Sequence, residues 1–136
     1  MLIREHLDRA VGFEKSLAKL DPVEDTELYV VFLMRAATNR MNAALHALDV
    51  TEEGPVVAAG ARVGDLNHSY KPSLWVELSP DVVKLLSALK SIEDLRPQYV
   101  RGPDLLTSEL VAACKRAHEE IVSGTEEMIG HRKARV

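Results

Sequence analysis

Cysteine is almost missing from this chain: Cys114 is the only one among 136 residues. An intramolecular disulfide, a cysteine zinc cage and a CxxC redox pair are therefore excluded, and a reducing, cytoplasmic setting is the natural expectation. Aromatic residues make up only 4%, so the core must be built from aliphatic side chains. The longest strongly apolar run, residues 28–34, is far short of the roughly 20 residues a membrane span needs, and no membrane association is expected. The first ten residues, MLIREHLDRA, carry acidic side chains and no apolar stretch, which argues against a secretory signal. A surplus of positive charge is lacking too: the formal net charge is −4. That balance argues against nucleic-acid binding over the whole surface while leaving room for a local basic site.

What the chain does have is helical periodicity. Hydrophobic residues are 46% of the composition and no sustained alternation of period two occurs, so helix is favoured over sheet. Residues 22–49 read as one long helix. Val30, Met34, Ala37, Met41, Ala44 and Leu48 recur at steps of four and three and share a face, which other helices must cover. Asp21 is the expected N-cap, Pro22 the first helical residue, and Glu24 the side chain that reaches back to the cap. Arg35, Asn39, Asn42, His46 and Asp49 form a polar stripe on another side.

The rest of the chain fits around that helix. Residues 2–20 predict a first helix with Ile3, Leu7, Ala10, Leu17 and Leu20 inward, antiparallel to the long one because so little chain separates them. Residues 55–66 offer a short helix weakened by Gly60 and Gly64, and residues 64–79 are irregular. Ser79, Pro80 and Asp81 restart helix, which runs to about Arg96. After a connector at 97–103, a last helix is expected from Asp104 to Ile129, with Gly124 as an early stop. The fold expectation is all-α, an up-and-down bundle of four long helices plus a short one. One domain covers residues 1–130, and the basic tail 131–136 is expected to be disordered.

Chemistry-bearing patterns are few. No Glu stands three residues before a His, and the five histidines contain no HExxH motif and no pair four apart, so no bundle-type metal motif is read. Asp65 and His68 are three apart but supply only two ligands; no metal and no cofactor is expected. Phosphate-cradling glycine loops are missing. Cys114, beside Lys115 and Arg116, reads as core packing. Within the stripe, Arg35, Asn39, Asn42 and His46 form a candidate ligand-binding wall suited to an anion, against the plainer reading of a solvated helix face.

Residues 62–70 concentrate Arg62, Asp65, Asn67, His68, Ser69 and Tyr70. An imidazole to move a proton, a guanidinium to hold a phosphate and a phenol to orient its neighbour suit phosphodiester chemistry. The segment resembles the HEPN family, helical bundles marked by an Arg, four to six residues, a His and a Tyr two positions later. The resemblance implies a metal-independent ribonuclease, or an RNA- or nucleotide-binding relative. Its catalytic residues would be Arg62, His68 and Tyr70, in a site usually formed across a homodimer. A homodimer with an RNA or protein partner is the corresponding expectation. The alternative is a helical module without enzymatic activity that packs against another protein and shows an exposed apolar patch.

Overall fold

The computed structural model describes residues 1–54, 64–66 and 77–134. Five helices make up its regular structure: α1 (Ile3–Leu17), α2 (Thr26–Ala47), α3 (Pro80–Glu93), α4 (Arg96–Tyr99) and α5 (Ser108–Ala134). No strand occurs among the described residues, and the all-α expectation holds. No helix there is long and apolar enough to cross a membrane.

Cross-helix contacts fix the directions. The Phe13 and Phe32 rings lie 5.7 Å apart and those of His6 and His46 5.2 Å apart, so α1 and α2 are antiparallel. Leu106 N donates to Thr26 Oγ1 at 3.0 Å near one end of α2, and Arg132 Nη1 reaches the His46 carbonyl at 3.5 Å near the other. Those two contacts make α2 and α5 parallel. Lys84 pairs with Glu120 at 3.1 Å, and Asp81, earlier in α3, shares a cleft with His131, later in α5. The α3 helix is therefore antiparallel to α5, and the four long helices run up, down, up and down.

Helix α2 is the hub, touching α1, α3, α4 and α5. Residues 40–47 are buried without interruption, as expected of a helix covered on all sides. Alanines at 36, 37, 43 and 44 are fully buried and let neighbouring helices come close. Around them Val30, Leu33, Met41, Leu45, Leu85, Leu89, Ile92 and Ile121 form an aliphatic core. Of the predicted apolar face only Leu48 is exposed.

Several boundaries differ from the sequence expectation. Helix α2 begins at Thr26, because residues 22–25 form a turn of their own. Asp21 caps that turn as expected, its Oδ1 accepting from the Val23 and Glu24 amides at 2.9 and 3.0 Å. The reaching-back role belongs to Asp25, whose Oδ2 accepts from Asp21 N at 2.9 Å, and not to Glu24. The short helix falls at Arg96–Tyr99, where a connector was expected. The helix expected at 55–66 lies mostly outside the described residues, and 64–66, within them, are not helical. Helix α5 starts only at Ser108, where Thr107 Oγ1 accepts from Leu110 N at 3.2 Å. It then continues past Ile129 through Ala134, so residues 131–134 extend the helix instead of forming an unpatterned tail. Gly124 does not stop it. A β-carbon there would stand 2.8 Å from Leu85 Cδ1; the missing side chain serves the packing of α3 on α5.

Candidate metal centre

The end of the bundle where α1 begins and α2 ends carries a polar cluster built from three separate pieces of chain. The first piece is the end of α2. Asp49 follows the helix in the left-handed region, φ 58°, a conformation Asp tolerates better than most side chains. The turn brings the Val50 and Thr51 amides onto the Leu45 carbonyl at 3.0 and 3.3 Å. It thereby folds Thr51 back over His46, with Thr51 Oγ1 2.6 Å from His46 Nδ1.

The second piece is the segment 64–66. Asn42, buried on α2, grips the backbone of Leu66 with both ends of its amide: Nδ2 donates to the Leu66 carbonyl at 2.7 Å, and Oδ1 accepts from the Leu66 amide at 2.8 Å. The Leu66 side chain is buried in the core. An irregular segment is thus anchored one residue away from Asp65, whose carboxylate is carried over the ends of α1 and α2. Asp65 Oδ1 lies 2.7 Å from His46 Nε2 and 2.9 Å from His6 Nε2, while Oδ2 lies 3.0 Å from the Met1 amino group.

The third piece is His6 on α1. Its Nδ1 lies 2.8 Å from Asn39 Oδ1, and Asn39 Nδ2 donates to the Arg35 carbonyl at 2.8 Å. The second bond orients the Asn39 amide with its oxygen toward the ring. An amide oxygen only accepts, so Nδ1 of His6 carries the hydrogen. In the neutral ring Nε2 is then a bare lone pair aimed at a carboxylate oxygen. Two lone pairs at that distance repel unless a cation, a second proton or a metal ion, lies with them.

One ligand atom each of His6, His46 and Asp65 lies within 4.8 Å of the other two, and both Nε2 atoms approach the same Asp65 oxygen. Among the described residues this is the one set of three such donors. Ligands at about 2.1 Å from a metal stand roughly 3.0–3.4 Å apart at octahedral or tetrahedral angles. The two edges to Asp65 Oδ1, 2.7 and 2.9 Å, are a few tenths of an ångström shorter than that spacing. Both rings also have the outer partner that metal-bound histidines normally have, Asn39 for one and Thr51 for the other. Burial pushes the His46 imidazole below its ordinary value, against the Asp65 hydrogen bond and charge that raise it, which favours the neutral, ligating form. For Asp65 burial acts upward, but the hydrogen bonds it accepts when the His6 and His46 rings carry a proton at Nε2, together with that from the Met1 amino group, outweigh it and hold the carboxyl below the usual range.

A second polar cluster lies between α1, α2 and α5. Glu14 accepts from Arg40 Nε and Nη2 at 2.7 and 2.6 Å and sits 2.7 Å from His118 Nε2. Burial would raise the Glu14 carboxyl, yet the hydrogen bonds from Arg40 and His118 bring it down to about 2. That set joins three helices through a bidentate ion pair, with the Arg40 guanidinium where a further metal ligand would have to stand.

The predicted polar stripe is partly brought together here. Asn39, Asn42 and His46 all serve the cluster, as orienter, clamp and donor, so they do not form a solvated face. Arg35 is exposed and contributes only its carbonyl. Cys114 is buried, with its thiol pushed up by burial, in keeping with core packing. The proposed catalytic residues Arg62, His68 and Tyr70 lie outside the described residues. The histidine pair was missed because its members stand 40 positions apart on different helices. The usable signal was the hairpin itself, which sets the start of α1 beside the end of α2. No family model matches this chain, and neither a curated protein nor a solved structure matches it.

Proposed function

We propose that this protein is a metalloprotein whose helical bundle holds one divalent transition-metal ion through His6 Nε2, His46 Nε2 and the Asp65 carboxylate. The observation that carries this reading is the orientation of His6. Asn39 occupies its Nδ1, leaving the Nε2 lone pair turned toward Asp65 and His46. Two imidazoles and one carboxylate suit zinc, iron(II), cobalt(II) or manganese(II), whereas calcium and magnesium prefer oxygen donors throughout. Asn42 supports the reading by fixing Leu66, since a clamp on irregular backbone is what a ligand carried on a loop requires.

The test is metal content by mass spectrometry after dialysis of the chelator-stripped protein against zinc. The native protein should retain about one ion per chain, and His6→Gln and Asp65→Asn should each lower affinity by at least the roughly 10–100-fold seen when a supporting residue is lost. Circular dichroism of both variants separates a lost site from a lost fold. Retention that is unchanged in correctly folded variants would refute the assignment. The same preparation separates this reading from the metal-independent ribonuclease that the HEPN resemblance implies. RNA cleavage that persists in excess EDTA and disappears in His68→Ala would favour the ribonuclease.

A further inference from the structure

The end of α1 opposite the metal centre borders a cleft of about 470 Å³, bounded also by the turn after α1, the start of α2 and the middle of α5. Leu17, Leu20, Pro22, Leu33 and Val122 give it apolar walls. Small-molecule sites occupy about 300–1,000 Å³ and combine such walls with a few placed polar groups. The full charges around this one cancel. Glu14 is held in the bidentate pair with Arg40, and Lys115 and Glu119, exposed on α5, carry opposite signs. An ion entering apolar walls would lose hydration without meeting a net counter-charge, so the cleft suits a neutral molecule.

One polar group in the walls is uncommitted. The Glu14 oxygens accept from Arg40 and pair with His118 Nε2, and the other ring nitrogen of His118 is enclosed. Tyr29, part of the wall and only 5% exposed, has a hydroxyl with no hydrogen-bond partner among the described residues. Its oxygen is not sealed in, unlike Thr38 Oγ1 and His118 Nδ1, the two enclosed side-chain atoms there that lack a partner. Burial, and the nearby Cys114 after it, raises the phenol above its ordinary value, so it stays a neutral O–H donor. Such a donor left unpaired in a nearly buried place is costly, and a bound acceptor removes the cost.

Independently of the metal assignment, we infer that this cleft binds a neutral, mainly apolar small molecule whose carbonyl oxygen, of the ketone, ester or amide class, accepts from the Tyr29 hydroxyl. A carbonyl brings acceptor strength without charge. An alcohol or a protonated acid would bring an O–H of its own, and the Glu14 oxygens that could receive it are already taken by Arg40 and His118.

Prodan, a neutral naphthyl ketone whose emission moves to the blue in apolar surroundings, is the probe that tests the inference. Protein added to a fixed, dilute amount of it should give a saturable blue shift, half complete at on the order of 100 µM protein for a ligand of this size. Tyr29→Phe removes only the oxygen and should weaken binding about 2–10-fold. Ala18→Trp fills the cleft from an exposed position and should abolish the shift. Acetylnaphthalene should displace Prodan at lower concentration than naphthoate, its anionic counterpart. A native protein that gives no saturable shift would overturn the inference, as would a shift that survives in Ala18→Trp, because binding would then lie elsewhere. Equal affinity in Tyr29→Phe, or naphthoate as the better competitor, would overturn the ligand class. Circular dichroism checks that the variants fold, and Tyr29→Phe keeps the test decisive if Ala18→Trp does not.

Discussion

At the scale of single residues, the centre depends on side chains that touch no metal. Thr51 is buried and its hydroxyl orients His46. Thr51→Val keeps the shape and removes the partner, so zinc affinity measured by competition with a chromogenic chelator should fall about 10–100-fold, with helix content unchanged. An unchanged affinity would show that His46 is held by packing alone. Asn42→Ala acts differently. It strips both partners from the buried Leu66 backbone, and each buried group left unsatisfied costs about 1–3 kcal/mol. Urea unfolding of the metal-free variant should therefore show a loss of roughly 2–4 kcal/mol, where a loss below about 0.5 kcal/mol would mean that water replaces the clamp. Neither role was legible in the sequence. Asn42 and His46 stand at ordinary helical spacing with Arg35 and Asn39, and periodicity identifies a shared face without saying what covers it. Here the cover is a loop residue anchored by backbone bonds, and backbone bonds leave no pattern in side-chain identity.

At the scale of elements, the apolar repeats of α1, α2, α3 and α5 were readable because burial selects residue type at helical spacing. The caps were readable for the same kind of reason: Ser79 Oγ accepts from Val82 N at 3.3 Å, and Asp21 caps its turn. The glycine signal misled. Gly124 reads as a helix stop by propensity, but its place is set by Leu85, buried on α3 and less than 3 Å from where a β-carbon would stand. Gly124→Val should cost about 1–3 kcal/mol by overpacking. In Gly124→Ala a helix-propensity gain of about 1 kcal/mol offsets the shift demanded of the flexible Leu85 side chain. Thermal melts of the two variants check the ordering, and a Val variant as stable as the native protein would contradict it. The short helix Arg96–Tyr99 escaped prediction because four residues are too few to show a period.

At the scale of the whole molecule, Glu14 ties α1 to Arg40 of α2 and His118 of α5, with Glu126 of α5 also 3.5 Å from Arg40. Its carboxyl is lowered from 4.5 to about 2. A depressed carboxyl contributes stability that is complete above its unfolded value and disappears as pH falls through the folded one. The Glu14 contribution is therefore lost between about pH 4.5 and about pH 2. Glu14→Gln should be destabilised at about pH 6, by about 2 kcal/mol once partial solvent screening is allowed for, and the gap from the native protein should narrow by about pH 3. A gap that is the same at both pH values would mean that packing, not charge, is what Glu14 supplies.

The whole bundle also explains why its site is composite: an α-hairpin brings two histidines together, and the chain between α2 and α3 returns with a carboxylate to meet them. The most direct measurement of that arrangement is X-ray absorption at the zinc edge of the loaded protein. The expected spectrum has a first shell of nitrogen and oxygen only, with the outer-shell scattering of two imidazoles, reduced to one in His6→Gln. A first shell containing sulfur, or imidazole scattering that does not change in His6→Gln, would contradict a centre built on His6, His46 and Asp65.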